Sequence, residues 1–130
     1  MKKKSQALLL AIFSLIIISL LLSAFLELTT IDLQIISNHL TKNQALYIAD
    51  AGIEYAISQL RTNNNWKQTS RPIELPAGSG NTYDVTYSGV SGKINSVARL
   101  ASGQEISLEA KVSVRGNAPY NVKIIYWREL

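Results

Sequence analysis

Cysteine is absent from the sequence, which excludes a disulfide framework, a thiolate metal site and a lipid-acylated cysteine. Histidine occurs once, at His39, and no tight acidic cluster accompanies it. Metal binding and imidazole acid–base chemistry therefore lack a constellation, and His39 reads as an ordinary polar residue of a helix. Serines are plentiful, yet there is no G-x-S-x-G, no triad spacing and no phosphate loop. Gly78-Ser79-Gly80 lacks the Lys-Ser/Thr that a phosphate site needs and reads as a turn. No catalytic, cofactor-binding or metal-ligating residue is assigned, and the chain does not read as an enzyme. Proline is missing before Pro72, and Gly52 is the single glycine before Gly78. Almost nothing in the first half breaks a helix. Charge is missing altogether from residues 7–26.

What is there begins with Lys2, Lys3 and Lys4. They supply three of the 13 basic residues and leave ten basic against nine acidic, a nearly neutral body. The basic balance is no argument for nucleic acid. Three lysines beside an apolar run read instead as a cytoplasmic retention signal. Residues 7–26 (ALLLAIFSLIIISLLLSAFL) number 20, about 30 Å of helix, which matches the hydrocarbon core of a bilayer. Ser14, Ser19 and Ser23 are compatible with lipid, because a hydroxyl can bond back to a helix carbonyl. The expectation is a single pass through an inner membrane with the C-terminus outside the cytoplasm. The rival is a cleaved signal peptide, whose apolar core usually has about 7–15 residues and ends in a small-x-small site. The run here is longer, and Leu22-Ser23-Ala24 offers a bulky Leu where a small residue belongs.

Past Leu26 apolar residues recur at helical spacing: Leu28, Ile31, Ile35, Ile36 and Leu40, then Leu46, Ala49, Ile53, Ala56, Ile57 and Leu60. The helix is expected over residues 6 to about 60, with a thinning of the stripe at residues 41–44. Asn63-Asn64-Asn65 is a fitting stop. Residues 66–81 read as a loop, given Pro72 and the Pro76-Ala77-Gly78-Ser79-Gly80-Asn81 run. Strand-like runs follow at residues 83–88, 93–101, 105–115 and 121–127, joined by links of hairpin length. The third alternates cleanly, and the last is apolar on both faces. The fold class expected is α+β: a long N-terminal helix, half membrane and half amphipathic, packed on a small antiparallel β-sheet. Its organisation is a basic leader at 1–5, a membrane half at 6–28, an amphipathic half at 29–65, and the loop and sheet at 66–130. The amphipathic half and the sheet form one extracytoplasmic domain.

Leader, uninterrupted apolar helix, amphipathic continuation and small sheet together resemble the type IV pilin-like superfamily. Within the helix, Tyr47-Ile48-Ala49-Asp50-Ala51-Gly52-Ile53-Glu54-Tyr55-Ala56 is similar to the alanine-rich YxAEAGxExA segment of PilX-type minor pilins, with Asp50 in place of Glu. The likeness covers roughly the first 60 residues by motif and the sheet only by pattern. It implies a structural subunit of a type IV pilus or of a secretion pseudopilus, serving motility, adhesion, DNA uptake or protein secretion. It also implies cutting by a prepilin peptidase and N-methylation, here between Ser5 and Gln6, where Ser5 stands in for the usual Gly. Implied partners are the membrane, other pilin subunits, the prepilin peptidase, and an assembly platform protein with its ATPase; no nucleic acid is implied directly. Major pilins carry Glu at the fifth mature position, and this chain has Leu10. That departure points to a minor or tip-associated subunit. A buried Glu there is costly unless paired, so Leu10 removes both the cost and the charge that sets register.

Further candidates concern assembly and packing. Ala49 and Gly52 are small residues that allow close approach of a sheet or second helix, although Ala49 also has good helix propensity. Asp50 and Glu54, four apart, are like-charged and read as solvated or as ionic contacts to the sheet or another subunit. Trp127, beside Arg128, is either a contact hot spot or a core anchor. The alternative from another class is a single-pass anchored periplasmic domain that binds a partner and never polymerises.

Overall fold

The computed structural model of the chain describes residues 2–130, with side chains from Lys4 onward. The leader's Met1 and the side chains of Lys2 and Lys3 lie outside the described residues. One helix, α1, spans Lys2–Thr62 and takes in residues 2–5 of the expected leader, because nothing in Lys3-Lys4-Ser5 interrupts it. It ends at the asparagine run. Asn63 N–H reaches Gln59 O at 2.8 Å, and Asn65 N–H bonds the Asn63 side chain at 3.0 Å. A terminal carbonyl, Arg61 O, is satisfied from a distance by Tyr120 N–H at 2.8 Å.

The chain divides into two compact units, residues 1–39 and 40–130. In the first, the described helix is exposed along its length. Ser14 and Ser19 donate to Leu10 O and Leu15 O at 2.8 Å, as a hydroxyl in an apolar setting must. Thr29 and Thr30 repeat the device on Phe25 O and Leu26 O at 2.9 Å. Length and hydropathy suffice for this helix to cross a membrane.

In the second unit, residues 40–62 of α1 cover a five-stranded antiparallel meander ordered β1-β2-β3-β4-β5. The strands are β1 (Ile73–Glu74), β2 (Thr82–Ser88), β3 (Lys93–Arg99), β4 (Glu105–Arg115) and β5 (Asn121–Glu129). β1 falls inside the stretch read as a loop. Only two residues long and flanked by Pro72 and Pro76, it shows no periodicity to detect. It is held by the Ile73–Tyr83 pairing, by Leu75 N–H on Asn81 O (2.9 Å), and by Gly80 N–H on the Glu74 carboxylate (2.5 Å). Backbone amides of Gly80 and Gly78 hold that carboxyl below its usual range. β3 stops at Arg99, and β5 continues through Trp127 to Glu129. Along β4–β5 the register shifts between Lys111 and Val112, so Ile125 has no partner on β4.

The core lies between the sheet's helix-facing side and a stripe of small and branched residues on α1. Ala45, Ile48, Ala49, Gly52, Ile53, Ala56, Ile57 and Leu60 are buried there. They pack with Tyr83, Val85, Ile94, Ala98, Leu108, Ala110 and Val112. Leu46, expected on the stripe, is displaced to its margin by Ala45 and Ile48. The reason is size: the sheet comes closest where α1 is smallest. A methyl group added at Gly52 would sit 2.2 Å from Ser96 Oγ, 2.8 Å from Val85 Cγ2 and 3.1 Å from Tyr83 Cδ2. Ser96 is fully buried, and its hydroxyl has no hydrogen-bond partner among the described residues. Tyr55 closes the margin, edge-on to Trp66 (6.3 Å) and tilted against Tyr83 (6.2 Å).

Gly52→Ala is expected to destabilise the domain by about 1–3 kcal/mol through overpacking. Ser96→Ala removes an unpartnered buried hydroxyl and should be neutral or stabilising. Combined, the two should show positive coupling in thermal or denaturant unfolding of the full chain in detergent micelles.

Candidate interaction surfaces

The residues singled out from sequence fall into three settings. Ser5, Gln6 and Leu10 are exposed on the first unit's helix, Leu10 at 65%. Ala49 and Gly52 are buried against the sheet. Asp50 and Glu54 face solvent, and no ion pair engages either among the described residues. Trp127 is 62% exposed, which removes the core-anchor reading. It pairs with Ala110, a buried core residue, so its ring stands on the helix side of the sheet beyond the helix's cover. His39 is exposed on the first unit. No three His, Cys, Asp or Glu side chains among the described residues could hold a metal ion.

Two of these residues share one cleft. Asn43, Leu46, Tyr47 and Asp50 lie at i, i+3, i+4 and i+7 on one flank of α1. Together with Leu108 and Trp127 they line a cleft of about 360 Å³. Its walls are largely apolar and aromatic, and its one carboxylate is Asp50. Near Asn43 a salt bridge between Lys42 and Glu129, 2.9 Å, ties the end of β5 to the helix. Both partners are nearly half exposed, so the bridge contributes no more than about 1 kcal/mol. It fixes position more than it stabilises.

The opposite face of the sheet holds a charge cluster that alternation alone does not reveal. Glu109 points away from the helix, yet its side chain is only 8% exposed. Lys93 Nζ approaches one oxygen at 3.0 Å, Arg128 the other at 3.1 Å, and Tyr126 O–H donates at 3.4 Å. Register explains the convergence: Arg128 sits directly opposite Glu109, while Lys93 and Tyr126 pair with Lys111, two residues along β4. The Lys93 hydrogen bond, aided by the charge of Arg128 and against the opposing effect of burial, holds the Glu109 carboxyl below its usual range.

The two edges of the sheet are unlike. Beside β2, β1 covers Thr82 and Tyr83, and residues 67–69 cover the rest: Thr69 N–H bonds Val85 O (3.0 Å) and Tyr87 N–H bonds Lys67 O (2.5 Å). Thr69 also donates through its hydroxyl to Asp84. β5, nine residues long, pairs only with β4 among the described residues. Its other edge is open and carries exposed Ile124, Ile125, Tyr126 and Trp127.

Because the Glu109 carboxyl titrates lower in the folded state, unfolding takes up a proton in acid. Its stabilising contribution is complete above the ordinary value of 4.5 and is lost as pH falls through the folded value. Glu109→Gln is therefore expected to lower the melting temperature at neutral pH and to flatten its decline below that value, measured by circular dichroism across pH.

Comparisons of the chain with protein-family models, with curated proteins and with solved structures return no match.

Proposed function

We propose that the chain is a structural subunit built into a helical filament through α1: a minor pilin or pseudopilin of a type IV pilus or type II secretion-like assembly. The observation that carries this reading is the length of exposed apolar helix. Large apolar side chains are exposed from Leu8 through Leu40. Residues 7–40 amount to about 51 Å of helix, against a hydrocarbon core of about 30 Å. The roughly 20 Å in excess has no lipid to cover it. That excess carries Leu28, Ile31 and Ile35 on one side, and Leu33, Ile36 and Leu40 on another, with Asp32 and His39 between them. Two apolar faces suit a helix packed between neighbours in a bundle.

In this reading the subunit is first held in the inner membrane and cut between Ser5 and Gln6. An ATPase-driven platform then extracts it into the filament among other pilin subunits. Leu10, lacking a carboxylate, suits a minor or tip position. The rival reading, an anchored binding domain that never polymerises, draws on the cleft at Trp127 but leaves residues 28–40 without a covering.

Co-expression with a prepilin peptidase should shorten the chain by the leader, read by intact mass. Ile35→Lys should leave the domain's melting temperature unchanged, because Ile35 is half exposed, and should remove the protein from sheared filaments. An unprocessed chain, or an Ile35→Lys variant that assembles at the normal level, would overturn the reading.

A further inference from the structure

The open edge of β5 and the cleft beside it form one continuous surface. Leu130 N–H donates to Ser107 O at 2.9 Å, which turns the backbone of Leu130 toward β4. Alternation then turns Arg128 and Tyr126 toward β4 as well, and leaves the amides and carbonyls of Trp127 and Glu129 facing the free edge. The bulge at Ile125 interrupts this pattern, so the regular part of the edge is the short stretch from Tyr126 to Leu130. Side chains on that stretch alternate: Trp127 and Glu129 stand on the helix side, where Glu129 meets Lys42. A strand added there would direct every second side chain over Trp127 toward the cleft. The cleft supplies Asp50, free of any ion pair among the described residues, and the rings of Tyr47 and Trp127 line the same cleft.

We infer that β5 receives a short extended segment of another protein as an additional strand, with a basic side chain of that segment seated in the Asp50–Tyr47–Trp127 cleft. The occupant's chemistry follows from the two parts of the site. Unpaired backbone groups on the edge require an extended peptide backbone. A carboxylate that shares a cleft with two aromatic rings complements a guanidinium or ammonium group, by charge and by cation–π contact. The opposite edge is already occupied by β1 and residues 67–69, so the asymmetry assigns the contact to β5. The site lies wholly within residues 40–130 and does not depend on what covers residues 7–39 of α1, so it serves an assembled subunit and a plain anchored domain alike.

The test uses the full chain in detergent micelles and a fluorophore-labelled, end-blocked pentapeptide, Thr-Val-Arg-Val-Thr, followed by anisotropy. Saturable binding is expected above the signal from empty micelles, weakening with added salt. Asp50→Asn, an exposed position whose change leaves the melting temperature intact, should weaken it roughly five- to tenfold. Replacing the peptide's Arg by Gln should do the same, and Trp127→Ala should weaken binding further. A backbone N-methylated version of the peptide should not bind. Signal no greater than that of empty micelles, an unaffected Asp50→Asn variant, or equal binding by the N-methylated peptide would each overturn the inference.

Discussion

Everything in the second unit, residues 40–130, depends on how closely one helix can approach one sheet. At Gly52 there is no room for even a methyl group, and the neighbour across the gap is a serine whose hydroxyl is left without a partner. A sheet of about this size cannot build a core of its own, since small domains bury too little of their surface. It becomes stable by pressing its apolar side onto a helix. The alanines at positions 45, 49 and 56, with Gly52, set the depth of that contact, and Ile53, Leu60, Ile94 and Leu108 fill it. Each such side chain contributes about 1.5–3 kcal/mol when fully buried. The unpartnered Ser96 hydroxyl is the local cost of the fit, and serine is among the few side chains small enough to occupy the position.

How much of this was legible beforehand follows from which physical signals are local. The helix could be read because its apolar spacing, missing prolines and terminal asparagines are properties of neighbouring residues. β2 and β4 could be read for the same reason: Tyr83, Val85 and Tyr87, then Ile106 through Val114, alternate as a half-buried strand must. β1 could not, because a two-residue strand between prolines exists only through its partner, Tyr83. Nor could the depth of Leu46, which is set by the small residues beside it. The helix over the sheet, an α+β arrangement, follows from the pattern; the edge strand β1 does not.

The surface was less legible than the core. Glu109 occupies an ordinary outward position in an alternating strand, and only the register of three strands brings Lys93, Arg128 and Tyr126 around it. Trp127 could not be placed by composition, since an aromatic residue near Arg128 suits a core or a contact equally. Its exposure depends on where the helix stops covering the sheet, a tertiary fact. Asp50 likewise acquires significance only when Trp127 is found across the cleft from it. Such constellations are assembled from residues distant in the chain, and no window of sequence contains them.

The strand order β1-β2-β3-β4-β5 has a consequence for biosynthesis. Each strand pairs with its neighbours in the chain, so the sheet grows by successive hairpins and closes only short loops, which favours rapid folding. The helix, however, is synthesised first. From the moment it emerges, the Ala45–Leu60 face has nothing to pack against, and it remains bare until the hairpins arrive. Order of translation thus makes the helix a waiting template, on which the later strands condense as they are made.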